Sequence, residues 1–152
     1  MAIHPVLPPP TSTAYVDMEE VLVTLIGDIC RKVTPPVWPC TVPPQDMTTR
    51  LNRGETIIQV RREGGIVTRV TDTGRVDIAV TCGYRTDAWR VMGWLLPQLY
   101  EFTGVVPTSD GTPAVVLEVS DATGTRQRPP LTQDSRTVQT LIQVTIRKPR
   151  TT

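Results

Sequence analysis

Residues 75–102 constrain the fold of this chain more than any other stretch. The segment RVDIAVTCGY alternates polar and apolar side chains with a period of two, which predicts a strand with one buried face. The segment TDAWRVMGWLLPQLYEF then repeats apolar residues at i, i+3, i+4 and i+7, which predicts an amphipathic helix. The residues expected to face the core are Val76, Ile78, Val80 and Cys82 in the strand and Ala88, Val91, Met92, Leu95, Leu96 and Leu99 in the helix. A strand and a helix this close in sequence predict the centre of a two-layer α+β core.

Three residues are expected to shape this helix. Thr86 is the predicted N-cap, and Gly104 is the residue type that commonly ends a helix. Pro97 lacks a backbone donor, so we expect a kink there or a fresh helical turn that starts at Pro97.

An earlier helix is predicted from residue 17 onward. Asp17 and Glu20 have the spacing of a capping box, and the apolar stripe that follows is Met18, Val21, Leu22, Leu25, Ile26 and Ile29. Gly27 lies off the stripe, where it either permits close approach of another element or weakens the helix.

The remaining chain predicts strands and polar connections. The proline-interrupted residues 33–44 allow a short edge strand at most, and residues 45–54 predict a loop or an irregular turn. Residues 55–63 predict a strand that Gly64 and Gly65 break, paired antiparallel with the strand that begins near Arg75. Residues 114–119 and 138–147 predict two further strands, with a long polar loop over 121–136 between them.

These elements predict an α+β fold with two layers. It consists of a four- to five-stranded, mostly antiparallel sheet with two helices packed on one face. We divide the chain into an extended arm at residues 1–14, one domain at 15–148 with a long interface loop at 120–137, and a tail at 149–152. The second face of the sheet is expected to be partly bare and to need a partner if it carries apolar groups.

The composition excludes several classes of function. The net charge of the 152 residues is +1, so no overall basic field argues for nucleic-acid binding. Three cysteines cannot all pair within the chain, which predicts a reduced, intracellular site of assembly. No stretch has the length of a signal peptide core or a membrane span, and a soluble product is expected. His4 is the sole histidine, too few for a histidine-based triad or zinc site, and we expect no cofactor, no metal and no enzyme activity.

The tripeptide Asp72-Thr73-Gly74 is the one catalytic-looking motif. D-T-G is typical of aspartic proteases, in which two carboxylates share a proton. The same residues are ordinary turn formers, and Arg75 stands where the protease pattern has a small residue. We therefore expect a turn here and keep a protease that uses Asp72 as a remote alternative.

Charged and aromatic residues outside the core predict protein–protein contacts. Arg61, Arg62 and Arg75 are diluted by nearby acids, which favours a solvated sheet face or a salt-bridge network between subunits over nucleic-acid contact. Trp89 and Trp94 lie off the apolar stripe, where aromatic residues are typical of interfaces.

The order of these motifs resembles a known family. VDMEEVLVTLIGDI is followed by a proline-rich stretch, then by IIQVRREGG, by T-D-x-G-x-V-D-I-x-V and by Y-x-T-D-A-W at the start of the second helix. Over roughly residues 17–102 this resembles the tail terminator proteins of long, non-contractile-tailed phages, the lambda-like group, especially those of actinobacterial phages.

The resemblance implies a structural virion protein. Such a subunit forms a homohexameric ring that caps the tail tube, ends its polymerisation and joins the tail to the head connector or stopper protein. DNA would only pass through the lumen, no membrane would be involved, and assembly would take place in the cytoplasm of the host bacterium. The interface residues expected on this basis are Arg61, Arg62, Glu63, Arg75, Asp77, Trp89, Trp94, Arg126 and Arg128. Another head–tail connector or stopper protein is the alternative.

Overall fold

The computed structural model describes residues 3–8, 16–109, 111, 113–127 and 136–147. The described residues form three helices and one six-stranded sheet. The helices are α1 (Met18–Ile29), α2 (Met47–Asn52) and α3 (Arg85–Glu101), and the strands are β1 (Val37–Cys40), β2 (Thr56–Val67), β3 (Thr71–Thr81), β4 (Gly104–Val106), β5 (Ala114–Gln127) and β6 (Thr137–Arg147). The sheet order is β1-β2-β3-β6-β5-β4. β1 runs parallel to β2, and all other neighbours are antiparallel.

The α+β class is confirmed, whereas the strand and helix counts differ from the prediction. The sheet is mixed and has six strands rather than four or five. The missed strand is β4, whose three residues are too few to show a pattern in the sequence. β1 is an edge strand, as the prolines around it predict. β2 and β3 pair antiparallel, and β2 continues through both glycines with a bulge between Arg62 and Gly64 instead of breaking there.

The N-terminus of α1 is capped as predicted, but only half of the capping box forms. The Asp17 carboxylate accepts backbone N–H groups of Glu19 at 3.1 Å and Glu20 at 3.3 Å. A capping box would also have the Glu20 carboxylate accept the backbone N–H of Asp17. It accepts the backbone N–H of Ser109 instead, at 2.6 Å. This bond ties the first turn of α1 to the segment after β4.

The boundaries of α3 differ from the prediction. Its N-cap is Tyr84, without a side-chain hydrogen bond, so Thr86 lies within the first turn. Pro97 lies inside one continuous helix. The helix ends at Glu101, where Phe102 turns the backbone to an extended conformation at φ −76° and ψ 126°. Gly104 begins β4 instead of ending α3, so that prediction is wrong.

Helices α1 and α3 pack on one face of the sheet, which we call the helix face. The residues Val76, Ile78 and Val80 of β3 are fully buried there. They belong to one hydrophobic cluster with the apolar stripes of both helices and with alternate residues of β6. The two-layer packing predicted for residues 75–102 is thus confirmed.

The opposite face of the sheet, which we call the far face, is partly covered by α2. Residues 45–54 were predicted to be a loop or an irregular turn, and they contain this helix. The three buried apolar residues outside the main cluster are Leu51 of α2, Ile57 of β2 and Ala79 of β3. The guanidinium carbon of Arg50 in α2 lies 4.1 Å from the centroid of the Trp38 ring and stacks over it. Trp38 is the β1 residue that pairs with Ile57. α2 therefore covers one end of the far face.

Two glycines let α1 and the β2–β3 hairpin approach closely. A Cβ built on Gly74 would collide with the sulfur of Met18, so the first turn of α1 packs directly on the bare backbone of β3. Gly65 lies opposite Gly74 with φ +141°, and a Cβ there would collide with the carbonyl oxygen of Thr73. Met18 itself is only 2% exposed.

Replacement of Gly74 by Ala should destabilise the subunit, whereas replacement of Gly93 by Ala should stabilise it. The first adds a methyl group to a filled site and should cost about 1–3 kcal/mol. The second adds a methyl group to an open helix position and should gain about 0.5–1 kcal/mol. Urea unfolding at one protein concentration measures both. A Gly74→Ala variant as stable as the parent would contradict the packing of Met18.

Candidate subunit interface

The β2–β3 hairpin ends in an exposed apolar tip. Residues 63–70, which we call the hairpin tip, are all exposed. Three of them are aliphatic, with exposed fractions of 73% for Ile66, 41% for Val67 and 66% for Val70. Exposed aliphatic side chains grouped on one projection are typical of a contact surface.

The turn of the hairpin tip is held by hydrogen bonds. The hydroxyl of Thr68 accepts the backbone N–H of Thr71 at 3.0 Å and that of Val70 at 3.3 Å. The backbone N–H of Thr68 donates to the carbonyl of Thr71 at 2.8 Å. The turn therefore lies at residues 68–71, and the prediction of a turn at residues 71–74 is wrong because β3 begins at Thr71.

An ion pair anchors the base of the hairpin. Arg62 donates from Nη1 to Asp72 Oδ2 at 2.8 Å and from Nη2 to Asp72 Oδ1 at 2.6 Å. Its Nε donates to the carbonyl oxygen of Gly64 at 3.2 Å and so holds the bulge. The hydrogen bond with Asp72 raises the pKa of Arg62 above its ordinary value. This two-point geometry is the strong form of an arginine–carboxylate contact.

This ion pair gives both residues a role inside the subunit. Arg62 was expected at a subunit interface, and its guanidinium group is instead committed to Asp72 and the bulge. Asp72 is buried, and both of its carboxylate oxygens accept from Arg62, so it is a structural strand residue.

Asp77 was expected to point outward toward a neighbour, and this expectation is wrong. Its side chain lies on the far face but is buried, with 5% exposure. Gln139 Nε2 of β6 donates to Asp77 Oδ1 at 2.6 Å. A buried carboxylate is stable only with such partners, so Asp77 joins β3 to β6.

The other expected interface residues have different surroundings. Arg61, Glu63 and Arg75 are exposed at or near the hairpin tip. Trp89 and Trp94 on α3 are 40% and 45% exposed. β5 continues to Gln127, so residues 121–127 form a strand where a loop was expected, and Arg126 pairs with Gln139. Arg128 and the arm residues 1, 2 and 9–14 lie outside the described residues.

A cleft of about 930 Å³ lies at the other end of β3. We call it the helix-end cleft, because the residues that follow α1, the last turn of α2 and the first turns of α3 surround it. Its apolar and aromatic lining includes Val33, Pro35, Val37, Tyr84, Val91 and Trp94. Asp87 and Arg90, which lie 3.4 Å apart in an exposed pair, also line it.

The chemistry of the cleft is that of a binding surface. Cys82 lines it, and burial raises the pKa of this thiol, while its sulfur lies 3.3 Å from the hydroxyl of Thr56. A buried neutral thiol is a poor nucleophile. No group of three His, Cys, Asp or Glu side chains among the described residues could hold a metal ion. Sequence reasoning missed the cleft because its residues come from four separate stretches of the chain, 33–37, 51–56, 82–94 and residue 136.

No helix in the described part of the chain is both long and apolar enough to cross a membrane.

The fold thus presents two surface features of the kind found at protein–protein contacts, the hairpin tip and the helix-end cleft. The model of a family described as phage tail termination protein matches residues 14–152, and the chain belongs to this family. No curated protein matches the chain. The resemblance to phage tail terminators is thereby confirmed. Membership places the protein in the virion tail as a structural component that contacts other tail and head proteins.

Replacement of Asp72 by Asn should destabilise the subunit by about 3 kcal/mol, because it leaves the charge of Arg62 without its partner. Glu63→Gln is the matched control, since Glu63 is adjacent to Arg62 in sequence but exposed, and its cost should stay within about 0.5 kcal/mol. Chemical unfolding monitored by tryptophan fluorescence measures both variants. Equal stabilities would show that the ion pair does not anchor the hairpin.

Proposed function

We propose that the chain acts as a homohexameric ring that caps the tail tube, ends its polymerisation and joins the tail to the head connector. The observation that carries this proposal is the family match over residues 14–152, which covers nearly the whole chain. The tail tube protein would lie below the ring and the connector or stopper protein above it. The motif order of residues 17–102 supports a lambda-like, long-tailed phage of an actinobacterial host.

The shape of the subunit supports a ring. A closed ring requires two unlike surfaces on each subunit, since every subunit contacts one neighbour with each of them. The hairpin tip adjoins Thr71 at the start of β3, and the helix-end cleft adjoins Cys82 just after its end. Ten residues of strand separate the two features by roughly 33 Å. They are therefore available to two different neighbours.

The role we propose is structural and not catalytic. Asp72 is bound on both oxygens by Arg62, and the cleft thiol of Cys82 is neutral. The uncovered part of the far face carries polar side chains such as Thr73 and Thr145, whose hydroxyls lie 3.1 Å apart across the sheet. A face of this kind suits a water-filled lumen through which DNA passes with weak, non-specific contact.

Loss of this protein should give phage tails of abnormal length. A terminator stops tube growth, so particles produced without it should carry overlong tails, and expression of the intact chain should restore the normal length. Electron microscopy of the particles measures tail length directly. Free tails of normal length beside filled or leaking heads would instead identify a connector or stopper protein.

The purified chain should form a ring of about six copies with a central hole. Native mass spectrometry and negative-stain imaging measure the copy number and the shape. A strict monomer at high concentration that does not bind tail tubes would contradict the proposal.

A further inference from the structure

We propose that neighbouring copies of this chain join by insertion of the hairpin tip of one copy into the helix-end cleft of the next. The inference rests on the proposed ring and names the two surfaces that would form it. It shares Glu63 and Trp94 with the expected interface and adds the aliphatic side chains of the tip.

The first argument is the complementary shape of the two surfaces. The tip is a convex projection with Ile66, Val67 and Val70 exposed. The cleft is concave, and its mixed lining has apolar and aromatic side chains such as Val91 and Trp94 beside charged ones such as Arg90. Its volume of about 930 Å³ is large enough to receive several aliphatic side chains. A protruding apolar patch and an apolar pocket elsewhere on the same molecule are the elements of a heterologous contact.

The second argument is that the tip cannot fill the cleft of its own subunit. β3 runs between them and is fixed by ladders to β2 and β6 over its whole length. The tip adjoins Thr71 and the cleft adjoins Cys82, at opposite ends of this strand. A hairpin tip that fills the cleft must therefore come from another molecule.

The third argument is that both surfaces are ready to bind. The ion pair of Arg62 with Asp72 and the hydrogen bonds of Thr68 fix the tip before any contact forms. A pre-organised tip loses little conformational freedom on docking. Both signs of charge flank each surface: Glu63 and Arg69 are exposed on the tip, and Asp87 and Arg90 line the cleft. Opposite charges can therefore face each other across the contact and set its register.

Two full-length variants test the contact. The tip variant carries Ile66→Asp and Val70→Asp. The cleft variant carries Tyr84→Asp and Trp94→Glu, and Asp at the N-cap position of Tyr84 favours the start of α3. The matched control is Trp89→Glu, because Trp89 lies on the same helix with similar exposure but does not line the cleft. Trp89 was also expected at an interface, and the contact of tip and cleft predicts that it is dispensable for the ring.

Native mass spectrometry should find rings for the parent chain and for the Trp89→Glu control. Each test variant alone should be monomeric, with association weakened by about 100-fold or more, as for loss of central interface anchors. A one-to-one mixture should form heterodimers and stop, because only the intact tip of the cleft variant and the intact cleft of the tip variant can pair. Far-UV circular dichroism should be unchanged. If the charged tip variant does not fold, Ile66→Ser with Val70→Thr replaces it, and Trp94→Gln alone replaces a cleft variant that does not fold.

Three outcomes would overturn the inference. Rings of either folded test variant would show that tip and cleft are not the contact, and a mixture without heterodimers would show that they do not meet each other. The N-terminal arm would be the occupant of the cleft if deletion of residues 1–8 abolished the rings while the tip variant still formed them. In this arm, Ile3 and Val6 are each 96% exposed. A parent chain that forms no ring and does not alter tail length would refute the proposed function itself, which separates the two failures.

Discussion

The burial of β3 on both of its faces is the constraint on which the rest of the structure depends. On the helix face, α1 and α3 cover Val76, Ile78 and Val80. On the far face, Asp77, Ala79 and Thr81 are also buried, although two of them are polar. They are tolerated because they are bonded across the sheet: Asp77 accepts from Gln139, and the hydroxyl of Thr81 lies 2.8 Å from that of Thr137. Residues 76–81 are thus covered on both faces and paired on both edges, and the hairpin tip and the helix-end cleft lie beyond the two ends of β3.

The parts of the fold that were predictable are those in which one residue period extends over many residues. Helices α1 and α3 repeat apolar residues for three turns or more, so sequence alone located them. Strand β3 repeats apolar residues only from Val76 onward, so its first residues, from Thr71, were missed. Helix α2 could not be found this way, because its six residues include one buried side chain, Leu51, and no repeat. The second half of β5 is polar and was assigned to a loop. It is a strand because β6 pairs with it across a bulge between Asp121 and Gly124, an interaction that only tertiary structure supplies.

The candidate site was harder to predict than the fold, for a physical reason. A charged residue in an alternating pattern is usually solvated, so Arg62 and Asp77 were assigned to the surface. Strand register decided otherwise, since it brought Arg62 within reach of Asp72 and Asp77 within reach of Gln139. Conversely, Ile66, Val67 and Val70 look like ordinary strand residues in sequence. Their exposure follows from their place at the end of the β2–β3 hairpin, which the pairing of the two strands reveals. Of the expected interface residues, Trp94 lines the cleft and Glu63 belongs to the tip.

Charge inside the subunit and aliphatic groups at its ends have a consequence for assembly. The ion pair of Arg62 with Asp72 stabilises the hairpin that presents Ile66 and Val70. A charged contact inside the subunit thus supports an exposed aliphatic surface. In an open pair, one tip lies in one cleft, and that single contact is all that holds the two subunits together. In a closed ring every subunit is held at both ends, so breaking one contact leaves the neighbours tethered and the contact re-forms at high effective concentration. Subunits of this design would stay apart when few and close cooperatively once several are collected at one place. The end of a tail tube, where a terminator acts, is such a place.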